Sequence, residues 1–291
     1  MNLAHVLLLI IPALVPDPEQ RAQDVLAQVR ATLGPSKRPT ALRGLSLEAE
    51  LRRVQPIDGG ETNDMSGELT VDVQLPDRYL KVETLAPFPG APEFSIGTGL
   101  DGAEAWRAPV GNAGGPHMVV RVFEREGPGA TEALLRRTRG EMLRLLLVAL
   151  GSSPAEAPLT FTHAGEAEAP EGRADRIDIG DAQGRIGTLF VDQATHRPLF
   201  LSFETSAPRM HTMRVTRHEG GERPRLAEPP SAAPAPDVEA RLYVSDWKAV
   251  DGVLLPHHVS QTIEGGSSEE WTIRKWRLDP SFKPDHFRRT K

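Results

Sequence analysis

The sequence predicts a mainly β chain with a few helices, its strands about a dozen in number and paired largely antiparallel. Three observations carry that expectation. Apolar and polar residues alternate with period two in both halves of the chain, the mark of strands with one buried and one wet face. The 26 glycines and 26 prolines divide the chain into short runs, as an all-β chain requires. Helical spacing dominates only two stretches, one near each end of the first half.

The first helix is expected over residues 17–34, where Val25, Leu26, Val29 and Leu33 recur three and four apart and Gly34-Pro35 ends the pattern. A strand follows in which Leu45, Leu47, Ala49 and Leu51 alternate with Ser46, Glu48, Glu50 and Arg52. Leu69, Val71 and Val73 repeat the alternation, and Pro76-Asp77 turns that strand into residues 79–84. There Leu80 and Val82 face one way while Lys81 and Glu83 face the other. Shorter strands are expected at 94–100 and 103–107, joined by Asp101-Gly102, and at 118–123. The long helix lies at 131–150, where Leu134, Leu135, Met142, Leu143, Leu146 and Leu147 form a wide apolar surface that Gly151 terminates.

Strands resume at 159–162, 176–179, 185–191, 198–204 and 210–218, with residues 192–197 as a hairpin turn. Residues 223–237 carry five prolines among alanines and acidic residues, and are expected as an exposed excursion within one domain spanning 17–291. The last fifty residues form a meander of 243–247, 253–263 and 269–278, closed by a tail to Phe287. Asp251-Gly252 and Gly265-Gly266 supply its turns, because these residues tolerate positive φ.

Composition narrows the function. A net charge of −6 gives no basic excess, so nucleic acid is not an expected partner. There are no cysteines, which removes disulfides, thiolate metal sites, a cysteine nucleophile and an acylated N-terminal cysteine. Residues 3–15 form an apolar segment shorter than the roughly 20 residues of a membrane span and of the length of a secretory core. Residues 1–16 are therefore expected to be signal-like and the protein periplasmic or secreted, with no transmembrane span. Residues 1–5 lack Lys and Arg and no small-x-small site precedes Pro16, so an uncleaved anchor or a packed apolar helix remains the alternative.

Candidate chemistry is sparse. His257 and His258 are adjacent, but neighbours in a strand point to opposite faces, so His257 joins Val253, Leu255, Val259 and Ile263 and the pair does not chelate one ion. No metal site is expected. Glu269-Glu270, Asp101 with Glu104, and Asp178 with Asp181 are carboxylate pairs in ordinary turn and edge settings. Gly-x-Ser-x-Gly is absent; Gly265-Gly-Ser-Ser268 has a hairpin turn as its sufficient explanation. The glycines of 111–115 lack the lysine of a phosphate loop. No catalytic residue and no cofactor is expected.

What remains is apolar. Trp106, Trp247, Trp271 and Trp276 fall on expected strands, where core packing competes with cavity lining. The 131–150 helix is either a fixed cover or a movable lid over a pocket. Taken as a ligand site, the candidates are Leu135, Met142 and Leu146 of that helix with Trp106, Trp271 and His257 of the sheet.

The order of these phrases resembles the LolA-like, outer-membrane lipoprotein-sorting superfamily. The resemblance rests on the signal-like start, a first helix running into Arg30-Ala-Thr-Leu-Gly34, Leu75-Pro-Asp-Arg78, Asp101-Gly102 leading to Trp106, and the Leu-rich helix. The second half adds Gly187-Thr-Leu-Phe-Val-Asp192 with Arg197-Pro198, Tyr243-Val-Ser-Asp-Trp247, Asp251-Gly-Val-Leu-Leu-Pro256 and Trp271-Thr-Ile273. It implies a curved, incomplete antiparallel β-barrel capped by helices, enclosing an apolar cavity that accepts acyl chains, and no ligand-contacting residue is carried over from it. The expected function is an envelope binding protein for an acyl chain or lipoprotein-like ligand. The alternative is a structural or regulatory envelope protein that binds a protein partner on the same scaffold, with a hydrolase behind both.

Overall fold

The computed structural model describes residues 17–34, 41–56, 62–86, 90–111, 129–169, 172–206, 237–264 and 266–289. The signal-like segment 1–16, the strands expected at 118–123 and 210–218, and nearly all of the excursion at 223–237 lie outside them.

Helix α1 (Pro18–Leu33) opens on Asp17, whose carboxylate accepts the Glu19 amide at 3.2 Å, with Pro18 as its first residue. Five strands follow: β1 (Gly44–Pro56), β2 (Thr62–Gln74), β3 (Arg78–Leu85), β4 (Phe94–Asp101) and β5 (Glu104–Pro109). Helix α2 (Ala130–Leu150) separates them from β6 (Thr160–Ala169), β7 (Gly172–Asp181), β8 (Gly184–Asp192), β9 (Pro198–Ser206), β10 (Asp237–Val250), β11 (Val253–Ile263) and β12 (Ser267–Leu278).

All twelve strands form one antiparallel sheet in the order β5-β4-β3-β2-β1-β12-β11-β10-β9-β8-β7-β6. Each half of the chain is thus a meander, and the first and last strands join the two, with Leu45 opposite Leu278 and Leu51 opposite Trp271. Among the described residues the sheet is open, with β5 and β6 as its edges. The open, helix-covered, mainly β architecture is the one expected from the alternation.

Both helices cover one face of the sheet. Alternate residues of the strands supply the buried layer there: Leu45, Leu47, Ala49 and Leu51 in β1, Val71 and Val73 in β2, Leu189 and Val191 in β8, Leu201 in β9. Helix α1 lies against β6 and β11, while α2 touches β3, β4 and β5 on one side and β8 to β11 on the other. A helix that reaches strands this far apart in the sheet spans its concave side.

Gly151 sets the end of α2 in the left-handed conformation (φ 59°) and meets α1, where an added Cβ would stand 2.4 Å from Val29 Cγ1. Arg30 of α1 donates to the Gly151 carbonyl at 3.3 Å. Beside the opposite edge, the Trp106 indole covers Gly97 and Gly99, and a Cβ on Gly99 would fall 2.2 Å from the ring. The indole N–H donates to the Phe287 carbonyl at 2.8 Å, fastening the C-terminal tail across β5.

The strands run longer than their apolar cores suggest. β10 begins at Asp237 and β7 at Gly172, because ladder pairing continues over polar residues once a neighbour is aligned. The largest departure concerns polarity. In β3 the alternation is as expected, but the buried set is Tyr79, Lys81, Glu83 and Leu85, and Leu80 and Val82 lie on the more open face.

Met142 on α2 is 1% exposed, so Met142→Asp strands a carboxylate among leucines. The expected loss is more than about 3 kcal/mol, measurable as a fall in the urea midpoint. Wild-type stability in this variant would contradict the packing of α2.

Candidate functional site

The buried face of β3 brings Lys81 and Glu83 into the space beneath α2. On β1 the same inward phase continues past Leu51 to Arg53, and on β12 it passes from Ile273 and Trp271 to Glu269, which lies directly opposite Arg53. Helix α2 contributes Glu141. Five ionisable side chains from four elements therefore converge on one point of the concave face.

Their bonds form a closed cluster. Lys81 Nζ stands 2.9 Å from Glu83 Oε1, 3.0 Å from Glu141 Oε1 and 3.5 Å from Glu269 Oε1. One guanidinium nitrogen of Arg53 donates to both Glu83 and Glu269. The Trp271 indole N–H donates to Glu269 at 2.6 Å, and the Lys81 ammonium lies 5.2 Å from the centre of the Trp271 ring system. Burial of charge is tolerated here because each carboxylate meets a cation and each cation at least two carboxylates.

Titration follows from the same arrangement. Burial opposes the charge on Lys81, but Glu141, Glu269 and Glu83 outweigh it and hold the ammonium above its ordinary range. Burial also opposes ionisation of Glu83, yet Lys81 and then Arg53 keep its carboxyl well below the usual carboxylate range. Glu141 is depressed in the same way, by Lys81 and Arg137 against burial. The Tyr79 hydroxyl, buried beside Glu141 without hydrogen-bond geometry, has its pKa pushed well up by burial and the nearby carboxylates.

Above this cluster lies a cavity of about 220 Å³ between α2 and the sheet. Arg53, Lys81, Glu83, Glu141 and Glu269 line it together with Leu145, Phe203, Leu242, Ile263 and Trp271. Arg137 and Arg144 of α2, Arg107 of β5, Tyr79 and several uncharged polar side chains, Thr205 and Gln261 among them, also face it. Arg144 places its guanidinium carbon 4.1 Å from the Phe203 ring centre, and burial lowers its pKa to about 10.

Of the six residues singled out from the sequence, Trp271 lines this cavity. Met142 and Leu146 are buried in the main core, and Leu135 packs against that core partly buried. Trp106 covers the β4 glycines and holds the tail. His257 is half-buried on β11, with Nδ1 3.1 Å from the Leu255 carbonyl, and His258 pairs across to Ser245. Among the described residues no group of three or more His, Asp or Glu is placed to hold a metal ion. Among the same residues no helix is long and apolar enough to cross a membrane.

No family model matches the chain, and no curated protein matches it. Solved structures do. One is a domain assigned to outer-membrane lipoprotein sorting from Vibrio parahaemolyticus, 11% identical, TM-score 0.46, with 93% of this chain and 97% of that one covered. A second is a LolA superfamily protein from Nitrosomonas europaea, 9% identical, TM-score 0.47, with 92% and 97% covered. A third is a DUF1329 family protein from Desulfovibrio piger, 11% identical, TM-score 0.44, with 94% and 98% covered. The LolA superfamily named there is the one that the turn phrases resemble.

The charged cluster is not legible in the sequence because its members are far apart and each looks like a wet-face residue of its own strand or helix, Glu269 standing out only as a neighbour of Glu270. One signal was present: Arg53 and Glu269 continue the inward phase of Leu51 and Trp271, and Glu141 stands next to Met142 on the apolar helix. Glu83→Gln removes one carboxylate and leaves Lys81 and Arg53 under-compensated. It should cost about 3 kcal/mol near neutral pH. Because the folded Glu83 pKa is depressed, its stabilisation is present above the unfolded value near 4.3 and lost as pH falls through the lower folded value. Urea unfolding from neutral pH to about pH 3 should therefore show the wild-type advantage shrinking only in the acid range, and a pH-independent gap would contradict the assignment.

Proposed function

We propose that the protein is a non-enzymatic binding protein of the bacterial envelope, periplasmic or secreted, that holds an acyl chain or similar amphiphile between α2 and the concave sheet. The observation that supports this reading is the cavity itself, covered by a helix that bridges both halves of the sheet and lined by apolar and charged side chains together. Such a lining suits a ligand with one end of each kind. The apolar segment at residues 3–15 supports the compartment.

Size bounds the ligand. A space of about 220 Å³ exceeds the roughly 150 Å³ apolar cavity that takes a benzene and is below the roughly 300 Å³ of the smallest drug-sized pockets. It suits a short chain or the end of a longer one. At about 0.8 kcal/mol per buried methylene, six methylenes would contribute roughly 5 kcal/mol before the cost of immobilisation.

The partner-binding alternative has one observation of its own. On the convex face Arg176, Phe190, Phe200 and Tyr243 stand side by side across β7 to β10, with Phe190 and Phe200 stacked at 4.1 Å and Phe200 and Tyr243 at 5.0 Å. These half-buried rings form a patch of the kind that partner proteins use.

Native mass spectrometry of protein purified without detergent, then supplied with octanoate, should show a one-to-one complex. Leu242→Trp, which fills part of the cavity, should weaken that binding about tenfold or more, at a stability cost of about 1–3 kcal/mol that leaves the variant folded. Absence of binding for every short amphiphile tried, or full binding by Leu242→Trp, would overturn the reading.

A further inference from the structure

The charged lining of the cavity is not electrically balanced around α2. Lys81 and Arg53 between them occupy all three carboxylates of the lining, Glu83, Glu141 and Glu269. Arg144 also lines the cavity; Glu141, on the adjacent turn of α2, acts on it electrostatically but is bonded to Lys81, and among the described residues Arg144 forms no direct ion pair. Its guanidinium lies over the face of Phe203 at 4.1 Å, close to Gly140 of its own helix. A guanidinium so placed uses its π surface on the ring and keeps its in-plane donors for an acceptor that arrives from the cavity.

We infer that Arg144 is an anion-selecting residue of this cavity, and that the ligand carries a carboxylate or phosphate on the end that enters beneath α2. This rests on the reading of the cavity as a ligand site. Arg137, also in the lining, adds positive charge at the same end of the space. The local sign opposes the net charge of −6 of the whole chain, so general electrostatics does not account for it. Burial lowers the Arg144 pKa only to about 10, which leaves it charged at neutral pH. An anion that replaces water there gains a charge-assisted, potentially bidentate pair in a site where the guanidinium has lost part of its hydration. The volume of about 220 Å³ disfavours a nucleotide and accommodates a head group with a short tail.

Calorimetric titration of the full chain with octanoate, octyl phosphate, octan-1-ol, octyltrimethylammonium and acetate tests this. Octanoate or octyl phosphate should bind at least about tenfold more tightly than octan-1-ol, and octyltrimethylammonium least tightly. Arg144→Gln should bring the octanoate-to-octanol ratio close to one while octanol affinity stays near wild type. Acetate separates the two sources of the anion: weaker binding than octanoate supports a head group with a tail, and equal binding supports a free small anion at the same residue. Octanol binding as tightly as octanoate in the wild type, or a preference that survives in Arg144→Gln, overturns the inference and leaves the cavity as a binding site. Failure of every compound to bind defeats both.

Discussion

Lys81 meets three carboxylates, Glu83, Glu141 and Glu269, and Arg53 meets two of them from the other side. These charges belong to β3, α2, β12 and β1, so the cluster is where the first strand, the last strand and the covering helix are brought into one register. Loss of any partner would leave an uncompensated charge beneath α2, a more severe penalty than the loss of an exposed ion pair. Slipping β3 by one residue would turn Lys81 and Glu83 out and Leu80 and Val82 in, breaking every one of these bonds at once. The ionic cluster therefore fixes one pairing among the several that a sheet of alternating residues permits.

The apolar part of the architecture supports that point rather than competing with it. The leucines and valines of β1, β2, β8 and β9 bind the two meanders to a common inner layer, and Met142, Leu143, Leu146 and Leu147 seat α2 on it. Glu141 and Arg144 stand on the same helix, one turned to Lys81 and the other to Phe203. Packing holds the helix down, and its polar residues line the space beneath it. A cavity lined by ionic, aromatic and aliphatic side chains together follows from this arrangement.

Much of the scaffold was legible in the sequence. Period-two runs located the strands, Asp251-Gly252 located a hairpin that the structure builds with both residues at positive φ, and the spacing of Val25, Leu26, Val29 and Leu33 gave the buried side of α1. Strand ends were less legible, since pairing extends β7 and β10 through residues with no apolar signal of their own. The site was hidden for a different reason. Alternation tells which residues share a face but not which face is buried, and for β3 hydrophobicity points to the wrong one, because the partners that stabilise Lys81 and Glu83 come from residues 53, 141 and 269. Trp271 was found by its size, whereas Arg144 looked like the polar edge of an amphipathic helix until Phe203 and the cavity were placed beside it.

The space beneath α2 is the proposed ligand site. A crystal structure of the chain with octanoate at saturating concentration tests that most directly. Density for the ligand is expected between α2 and the sheet, with its carboxylate within hydrogen-bonding reach of Arg144 and its chain against Phe203 and Leu242. Ligand bound elsewhere, with only water beneath α2, would contradict it.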